Sequence, residues 1–294
     1  MYRKIMGFLE AWKENEHRKP LILQGARQVG KTYSILEFGR IHYENVAYFN
    51  FETNPKLNET FEEKISPDYL IPILSHIAGQ TIVKEKTLIV FDEVQLCERA
   101  LTSLKYFCED APDYHIIVAG SLLGVAVNRA KFSFPVGKVD MKTLYPMDME
   151  EFMIAMGEDE LVEQIKKCFE TNRPMPSALH DAAMQLYRQY LVVGGMPECV
   201  MQFAGTKDYI LVRHTQDTIL ASYLNDMSKY NNLNEIKKTR LAYDNITVQL
   251  SKKKTRFQYK LIKKGGRASE FENAIEWLCL SGIVSQVYRV EQIK

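Results

Sequence analysis

The sequence lacks a long apolar run, a paired-cysteine pattern and an excess of charge of either sign. No stretch approaches the ~18 apolar residues of a membrane-spanning helix, and residues 1–19 do not have the apolar centre of a signal peptide. The five cysteines are scattered and never spaced C-x-x-C, which argues against a disulfide framework or a zinc ribbon. We therefore expect a soluble cytoplasmic protein that makes no use of a membrane.

The composition supports a packed protein without indicating its partner. Lys and Arg number 38 against 37 Asp and Glu, so the net charge identifies no ligand. Apolar residues make up 46% of the chain, which argues against extended disorder. At roughly 100–200 residues per domain, the chain is expected to form two domains. The six histidines show no metal-ligand spacing.

Strand and helix patterns alternate through the first half of the chain. Short apolar strands are predicted at 21–23, 45–51, 87–91, 115–119 and 137–144. Helical patterns are predicted at 3–16, 33–40, 57–79 and 98–109. The alternation predicts an α/β fold, in which helices flank a parallel sheet.

Residues Gly25 to Thr32 read GARQVGKT and match the motif G-x-x-x-x-G-K-[ST] in full. A strand is predicted before the motif and a helix after it, which is the context that a phosphate-binding P-loop requires. The glycines let backbone amides approach phosphate oxygens, and the helix N-terminus favours an anion. We predict that Lys31 contacts the β- and γ-phosphates and that Thr32 ligates Mg²⁺. The alternative is a chance glycine-rich turn.

An acidic pair follows the predicted strand at 87–91. Asp92 and Glu93 emerge at its carboxyl end, where ligands bind in open α/β sheets. We predict that Asp92 holds Mg²⁺, mostly through water, and that Glu93 is the general base that polarises the attacking water. The pair favours hydrolysis over transfer to a small molecule, although an acidic strand end without a metal is the alternative.

Other side chains near these motifs are weaker candidates. Ser121 follows the strand at 115–119 and is either a sensor of the γ-phosphate or a turn residue. Gln95 either couples the site to the next helix or has a capping or surface role. An arginine that contacts the γ-phosphate can come from the same chain or from a neighbouring subunit. The sequence therefore leaves the formation of an oligomer undecided. The candidates, of which none is assigned, are Arg27, Arg99, Arg129 and Arg213.

The full set of predicted nucleotide-binding residues is Gly25, Ala26, Arg27, Gln28, Val29, Gly30, Lys31, Thr32, Tyr33 and Ser121.

The second half of the chain is predicted to be helical. Helices are expected at 148–156, 158–171, 177–192 and 209–230, with a break at 173–176 and a stop at Gly194, Gly195 and Pro197. Residues 237–267 are strongly basic, with Phe257 and Tyr259 among the lysines. A helix at 269–280 and a strand at 282–290 then give the element order of a winged helix. We expect a P-loop core at 1–147, a helical lid at 148–205 and a winged-helix region at 206–294.

Together these motifs resemble a family of prokaryotic AAA-type ATPases. The segments that carry the resemblance are GARQVGKT, LIVFDEVQ, VAGSLLG, FPVGKVDMKTLYPMDMEEF and GGMPECV. The resemblance implies an ASCE-type P-loop core with a helical lid, a winged-helix region and a further C-terminal domain of unknown function. It also implies that Lys31, Thr32, Asp92 and Glu93 are Walker A and Walker B residues and that Ser121 is the sensor.

Two features depart from that family. Its members read Gly-Arg-Val where this chain has Gly137, Lys138 and Val139, so the planar fork of an arginine is lost. Its members also continue beyond the point where this chain stops, so we expect the winged-helix region to be incomplete.

Several function classes compete on this evidence. The leading hypothesis is an ATPase that uses ATP and Mg²⁺ to switch or remodel a partner. The alternative is a nucleic-acid-binding module with a regulatory ATP site, in which residues 237–267 bind DNA phosphates. A solvated basic face or an intramolecular contact would explain the same lysines. A helicase is disfavoured because no second P-loop-type domain follows. A GTPase is disfavoured because no Asn-Lys-x-Asp motif occurs. A small-molecule kinase remains an alternative.

Overall fold

The computed structural model describes residues 1–121, 135–230, 233–252 and 256–288. The chain divides into two compact units, Met1–Gln216 and Asp217–Lys294. The further division of the first unit into a core at 1–147 and a lid from 148 stays a prediction.

A five-stranded parallel sheet organises the first unit. Its strands are β1 (Leu21–Gly25), β2 (Asn45–Asn50), β3 (Thr87–Asp92), β4 (His115–Ser121) and β5 (Asp140–Thr143). They lie in the order β2-β3-β4-β1-β5, and every pair is parallel. The central strands read as apolar runs because helices cover both faces, and all six residues of β3 are buried. The predicted α/β fold with a P-loop sheet and flanking helices is confirmed.

Helices connect these strands and fill the two layers around them. They are α1 (Ile5–Glu14), α2 (Lys31–His42), α3 (Leu57–Glu63), α4 (Pro67–Ala78) and α5 (Glu98–Asp110). Phe51, which follows β2, and Phe61 of α3 both pack edge to face against Phe91 of β3, and all three side chains are almost fully buried. Packing of this kind fixes the sheet that carries the candidate site.

The rest of the first unit is helical. It contains α6 (Met149–Ala155), α7 (Asp159–Glu170), α8 (Ser177–Val193) and α9 (Pro197–Thr206), and it extends into α10 (Tyr209–Tyr230). Asp148 and Glu151 form a reciprocal capping box at the start of α6. The second unit contains α11 (Leu233–Leu250) and α12 (Ala268–Leu280), which pack against each other.

The structure differs from the sequence prediction in four places. The helix expected at 57–79 is two helices, because a break precedes Pro67 at the first turn of α4. Pro197 begins α9 where we had expected only a stop. Helix α11 occupies part of the basic stretch, for which no element was predicted. The strand expected at 282–290 is wrong for the described residues 282–288, which form no strand, so the winged-helix prediction is not confirmed.

Candidate functional site

The predicted P-loop connects β1 to α2, as its motif requires. Gly30 caps the start of α2 with φ +89°, and Gln28 also adopts a left-handed conformation with φ +63°. A side chain at Gly30 would strain that geometry, because L-residues rarely adopt it. The left-handed conformations of Gln28 and Gly30 bend the backbone between Gly25 and Lys31 into a loop at the N-terminus of α2. A helix N-terminus is the position at which this fold binds anions.

Gly25 is required by its surroundings as well. A Cβ atom at this position would lie 2.3 Å from the backbone carbonyl oxygen of Leu144. Leu144 is held there because its amide donates a 2.8 Å hydrogen bond to the carbonyl of Gln24. The segment after β5 therefore crosses directly over the end of β1, and only glycine fits beneath it.

The Lys31 ammonium is turned into the loop. Its Nζ donates hydrogen bonds to the carbonyl oxygens of Gly25 (3.0 Å) and Ala26 (2.8 Å). Burial lowers the pKa of Lys31 to about 8, and Arg27 also lowers it, whereas Glu93 and Asp92 act in the opposite direction. The loop thus holds a partly buried cation whose ammonium is bound to two backbone carbonyls, which suits a phosphate group.

Thr32 and Asp92 meet across the sheet. The Thr32 hydroxyl donates a 2.8 Å hydrogen bond to Asp92 Oδ2, although the two residues come from α2 and β3. The Asp92 side chain is buried, and its Oδ1 accepts a 3.0 Å hydrogen bond from the backbone amide of Glu93. A hydroxyl and a carboxylate at this distance are the hard oxygen donors that Mg²⁺ prefers.

Glu93 sits on a strained backbone at the end of β3. Its φ is +53°, a conformation that is uncommon for a residue other than glycine. The Gln95 side-chain amide donates a hydrogen bond to Glu93 Oε2. The negative charge of Glu93 raises the pKa of Lys31 and so opposes the effect of burial, which links the predicted base electrostatically to the predicted phosphate-binding lysine.

The remaining predicted residues differ in exposure. Ala26 and Val29 are buried within the loop, Arg27 is partly exposed, and the Tyr33 ring is 55% exposed at the start of α2. The Ser121 backbone pairs with Gly25 at the end of β4, between β1 and β3, but its side chain lies outside the description. The sensor role of Ser121 therefore stays a prediction.

The arginines considered as γ-phosphate contacts lie in different surroundings. Arg99 donates to the carbonyl oxygen of Phe61, which is a structural contact. Arg213 lies exposed on α10, and Arg129 falls outside the described residues. Lys138, which replaces an arginine of the resembled family, forms a 2.9 Å ion pair with Glu109 on α5.

Two residues that sequence reasoning missed, Tyr48 and Arg3, contact the site, and a third, Glu151, holds Arg3. Tyr48 of β2 donates a 2.7 Å hydrogen bond to Asp92 Oδ2. Burial raises the pKa of Tyr48 to about 12, so the phenol stays a donor at neutral pH.

Buried Arg3 contacts the P-loop at Val29 and the buried carboxylate of Glu151. Alternation within β2 marks Tyr48 as a residue of the less buried face, but no local signal identifies Arg3.

The described residues fit a nucleotide with a metal ion. Lys31 and the loop amides would hold the phosphates, while Thr32 and Asp92 would ligate Mg²⁺ with phosphate oxygens and water completing its shell. Within the described ranges, no group of three or more His, Cys, Asp or Glu side chains is arranged to hold a metal by itself. No helix in that part of the chain is long and apolar enough to cross a membrane.

The fold and this site define a P-loop nucleotide-binding domain. Residues 17–153 match the AAA domain family, so this part of the chain is similar to an AAA domain. Residues 184–293 match a second family, a domain of unknown function (DUF8612). No curated protein matches the chain.

Three solved structures illustrate what the chain is similar to. The RuvB Holliday junction branch migration motor of Thermotoga maritima is 13% identical with a TM-score of 0.41, covering 97% of this chain and 88% of that chain. Drosophila ORC bound to DNA is 15% identical with a TM-score of 0.40, covering 92% and 84%. AMPPCP-bound DnaA from Aquifex aeolicus is 12% identical with a TM-score of 0.37, covering 94% and 90%. At these TM-scores the likenesses carry no argument about function.

Proposed function

We propose that the chain is a Mg²⁺-dependent ATP hydrolase of the AAA type, which uses its nucleotide state to switch or remodel a partner. The observation that carries this proposal is the 2.8 Å contact between the Thr32 hydroxyl and Asp92 Oδ2. It joins the helix after the P-loop to the acidic pair at the end of β3, and these are the two halves of a hydrolytic site.

Each residue then has a defined task. Lys31 and the amides of the P-loop bind and orient the phosphates, and Thr32 and Asp92 would hold the metal, which would supply positive charge at the transferred group. Gln95 orients the Glu93 carboxylate through Oε2, and we assign Oε1 to water activation. Glu93 accepts the water proton as the oxygen attacks the γ-phosphorus, and the bond to the bridging oxygen breaks to release ADP.

The proposal is tested by comparing ATP binding and turnover in Lys31→Ala and Glu93→Gln. Lys31→Ala is expected to lose ATP binding, whereas Glu93→Gln is expected to bind ATP and turn it over at least 100-fold more slowly. Matched controls are Lys86→Ala and Glu44→Gln, which remove either partner of an exposed ion pair elsewhere. Normal turnover in Glu93→Gln would show that the base assignment is wrong, and phosphate transfer to an added acceptor would indicate a kinase.

The second candidate function is a nucleic-acid-binding module with a regulatory ATP site. The second unit carries fourteen Lys and Arg against eight Asp and Glu. Lys252, Arg256, Lys260 and Lys264 are exposed, and beside them Phe257 and Tyr259 pack edge to face with ring centroids 5.3 Å apart. Cations interleaved with aromatic rings favour contact with phosphates and bases.

Binding to random duplex DNA at several salt concentrations tests this second candidate. Replacing Lys252, Arg256 and Lys260 by Glu is expected to weaken binding and to lower its salt dependence. Replacing the exposed Lys56 and Lys64 of the first unit by Glu serves as the control. Absence of binding by the unaltered chain at low salt would exclude direct DNA contact. Glu272 and Glu276, exposed on α12, argue against that helix as the DNA-reading element.

We also propose the cytoplasm as the compartment. All five cysteines are free thiols, and two of them, Cys97 and Cys199, are buried. Burial raises the pKa of both thiols to about 11, so they stay protonated and resist oxidation. Quantitative thiol labelling of the protein isolated from cells tests this, because five reactive thiols after unfolding are expected.

A further inference from the structure

Arg3 is a buried cation at a junction of three segments. It precedes α1, is only 4% exposed, and lies far in sequence from the residues that it contacts. Its Nη1 donates a 3.1 Å hydrogen bond to the carbonyl of Val29, and its Nη2 donates a 2.7 Å hydrogen bond to the carbonyl of Tyr145. Its Nε donates to Glu151 Oε1 at 3.2 Å. One planar guanidinium thus joins the P-loop, the segment after β5 and the start of α6.

The contact with Val29 bears on how the P-loop presents its amides. Val29 lies between Gln28 and Gly30, the two left-handed residues of the loop. A trans peptide is planar, so its N–H points opposite to its carbonyl. Because the Val29 carbonyl is bound to Arg3, the Gly30 amide is directed away from the guanidinium. Arg3 therefore sets the orientation of one peptide group of the loop.

The contact with Glu151 anchors the opposite end of the arrangement. Glu151 is 5% exposed, and its Oε1 also accepts a 2.7 Å hydrogen bond from the amide of Lys4. Its Oε2 accepts from the Asp148 amide, and the Asp148 side chain accepts from the Glu151 amide at 2.9 Å. The carboxylate that pairs with Arg3 is therefore part of the cap of α6. Any displacement of the guanidinium is transmitted to the first turn of that helix.

We propose that Arg3 is a positioning residue that couples nucleotide occupancy of the P-loop to the first turn of α6 through the Val29–Arg3–Glu151 contacts. This inference rests on the proposed function, because it requires ATP in the loop. The coupling is physically direct, since a buried ion pair with three hydrogen bonds tolerates little independent movement of its partners. Nucleotide that fixes the P-loop fixes Arg3, and Arg3 then fixes the cap.

Amide hydrogen exchange on the full chain, with and without saturating ATP and Mg²⁺, tests the coupling. In the unaltered protein we expect nucleotide to slow exchange in both α2 and α6. In Arg3→Met we expect ATP affinity to fall by about tenfold. At saturating nucleotide, exchange in α2 should still slow, whereas exchange in α6 should no longer respond. Lys4→Met is the matched control, because Lys4 pairs with Asp148 and Glu150 at the surface of the same helix.

Two further variants keep the test informative where Arg3→Met does not fold. Arg3→Lys retains the charge but lacks the planar fork whose three nitrogen atoms reach the three partners, and Glu151→Gln keeps the shape while removing the ion pair. Both are expected to bind ATP and to show a weakened response of α6. A full response of α6 in these variants, or protection of α2 without α6 in the unaltered protein, would overturn the inference. Absence of protection in α2 of the unaltered protein would instead overturn the proposed function.

Discussion

The phenolic hydroxyl of Tyr48 donates a 2.7 Å hydrogen bond to Asp92 Oδ2, the same oxygen that accepts from Thr32 at 2.8 Å. Asn50 in turn donates to the Tyr48 hydroxyl at 3.1 Å, so a chain of side chains from β2 reaches the predicted metal ligand. When Thr32 binds a metal ion, Tyr48 remains to orient the Asp92 carboxylate.

Removing that hydroxyl is expected to raise the Mg²⁺ requirement of ATP binding. Tyr48→Phe leaves Thr32 and Asp92 in place but removes a hydrogen bond to a charged group, which contributes about 1.5–3 kcal/mol. We expect the Mg²⁺ concentration for half-maximal ATP binding to rise about tenfold, measured by calorimetric or fluorescence titration. Tyr69→Phe, which removes an exposed hydroxyl bound to Glu63, is the control. An unchanged Mg²⁺ dependence in Tyr48→Phe would contradict this role.

The local part of the site was predictable from sequence, and the contacts between distant segments were not. GARQVGKT encodes its own geometry, because the glycines and the following helix are determined within eight residues. The pairing of Thr32 with Asp92 was implied by the rule that ligands bind at the carboxyl ends of parallel strands. Arg3 and Glu151 are separated by 148 positions, and only the folded chain brings them together.

Two elements of the helical region differ from the sequence prediction for separate reasons, one concerning proline and one concerning charge. The sequence predicts a stop at Pro197, yet Pro197 begins α9, because proline is favoured at the first position of a helix, where its missing N–H is not needed. The basic residues of α11 suggested a solvated stretch, but Thr239, Ala242 and Gln249 are buried on one face of that helix. Tertiary contacts therefore selected helix α11 more strongly than its local composition did.

ATP affinity is expected to fall as pH rises above about 8. Burial lowers the pKa of Lys31 to about 8 in the free protein, whereas bound phosphates would stabilise its protonated form. Above that pH the lysine must take up a proton to bind ATP, so the affinity falls by up to about tenfold per pH unit. Calorimetry at pH 8.5–9 in two buffers of different ionisation enthalpy measures this uptake. Lys31→Arg, which stays protonated, should show none, and absence of uptake in the unaltered protein would contradict the prediction.

Stability is expected to decrease below pH 6.5 because of His115. Burial lowers its pKa to about 4, and Arg18 and Lys13 act in the same direction, while Nδ1 lies 2.8 Å from the Tyr43 hydroxyl. Between pH 6.5 and about 4 the unfolded chain binds more protons at this residue than the folded chain, so acidification favours unfolding by up to ~1.4 kcal/mol per pH unit.

Urea unfolding at pH 7, 6 and 5 isolates this contribution. His115→Gln is expected to lose less stability than the unaltered protein over this range, because the glutamine does not titrate. His180→Gln is the matched control, since the His180 side chain is 61% exposed. Equal slopes in the His115→Gln variant and the unaltered protein would show that this histidine does not govern the acid response.

Two glycine substitutions are expected to change stability in opposite directions. A Cβ at Gly25 would lie 2.3 Å from the Leu144 carbonyl oxygen, so Gly25→Ala must displace backbone over the P-loop and is expected to cost about 1–3 kcal/mol. Gly7 is exposed within α1 and a Cβ there meets nothing within 4 Å, so Gly7→Ala should stabilise by about 0.5–1 kcal/mol. Thermal unfolding measures both, and ATP titration should show weaker binding in Gly25→Ala alone. A Gly25→Ala protein as stable as the unaltered chain would mean that the segment after β5 yields freely, and the close approach to β1 would not constrain the loop.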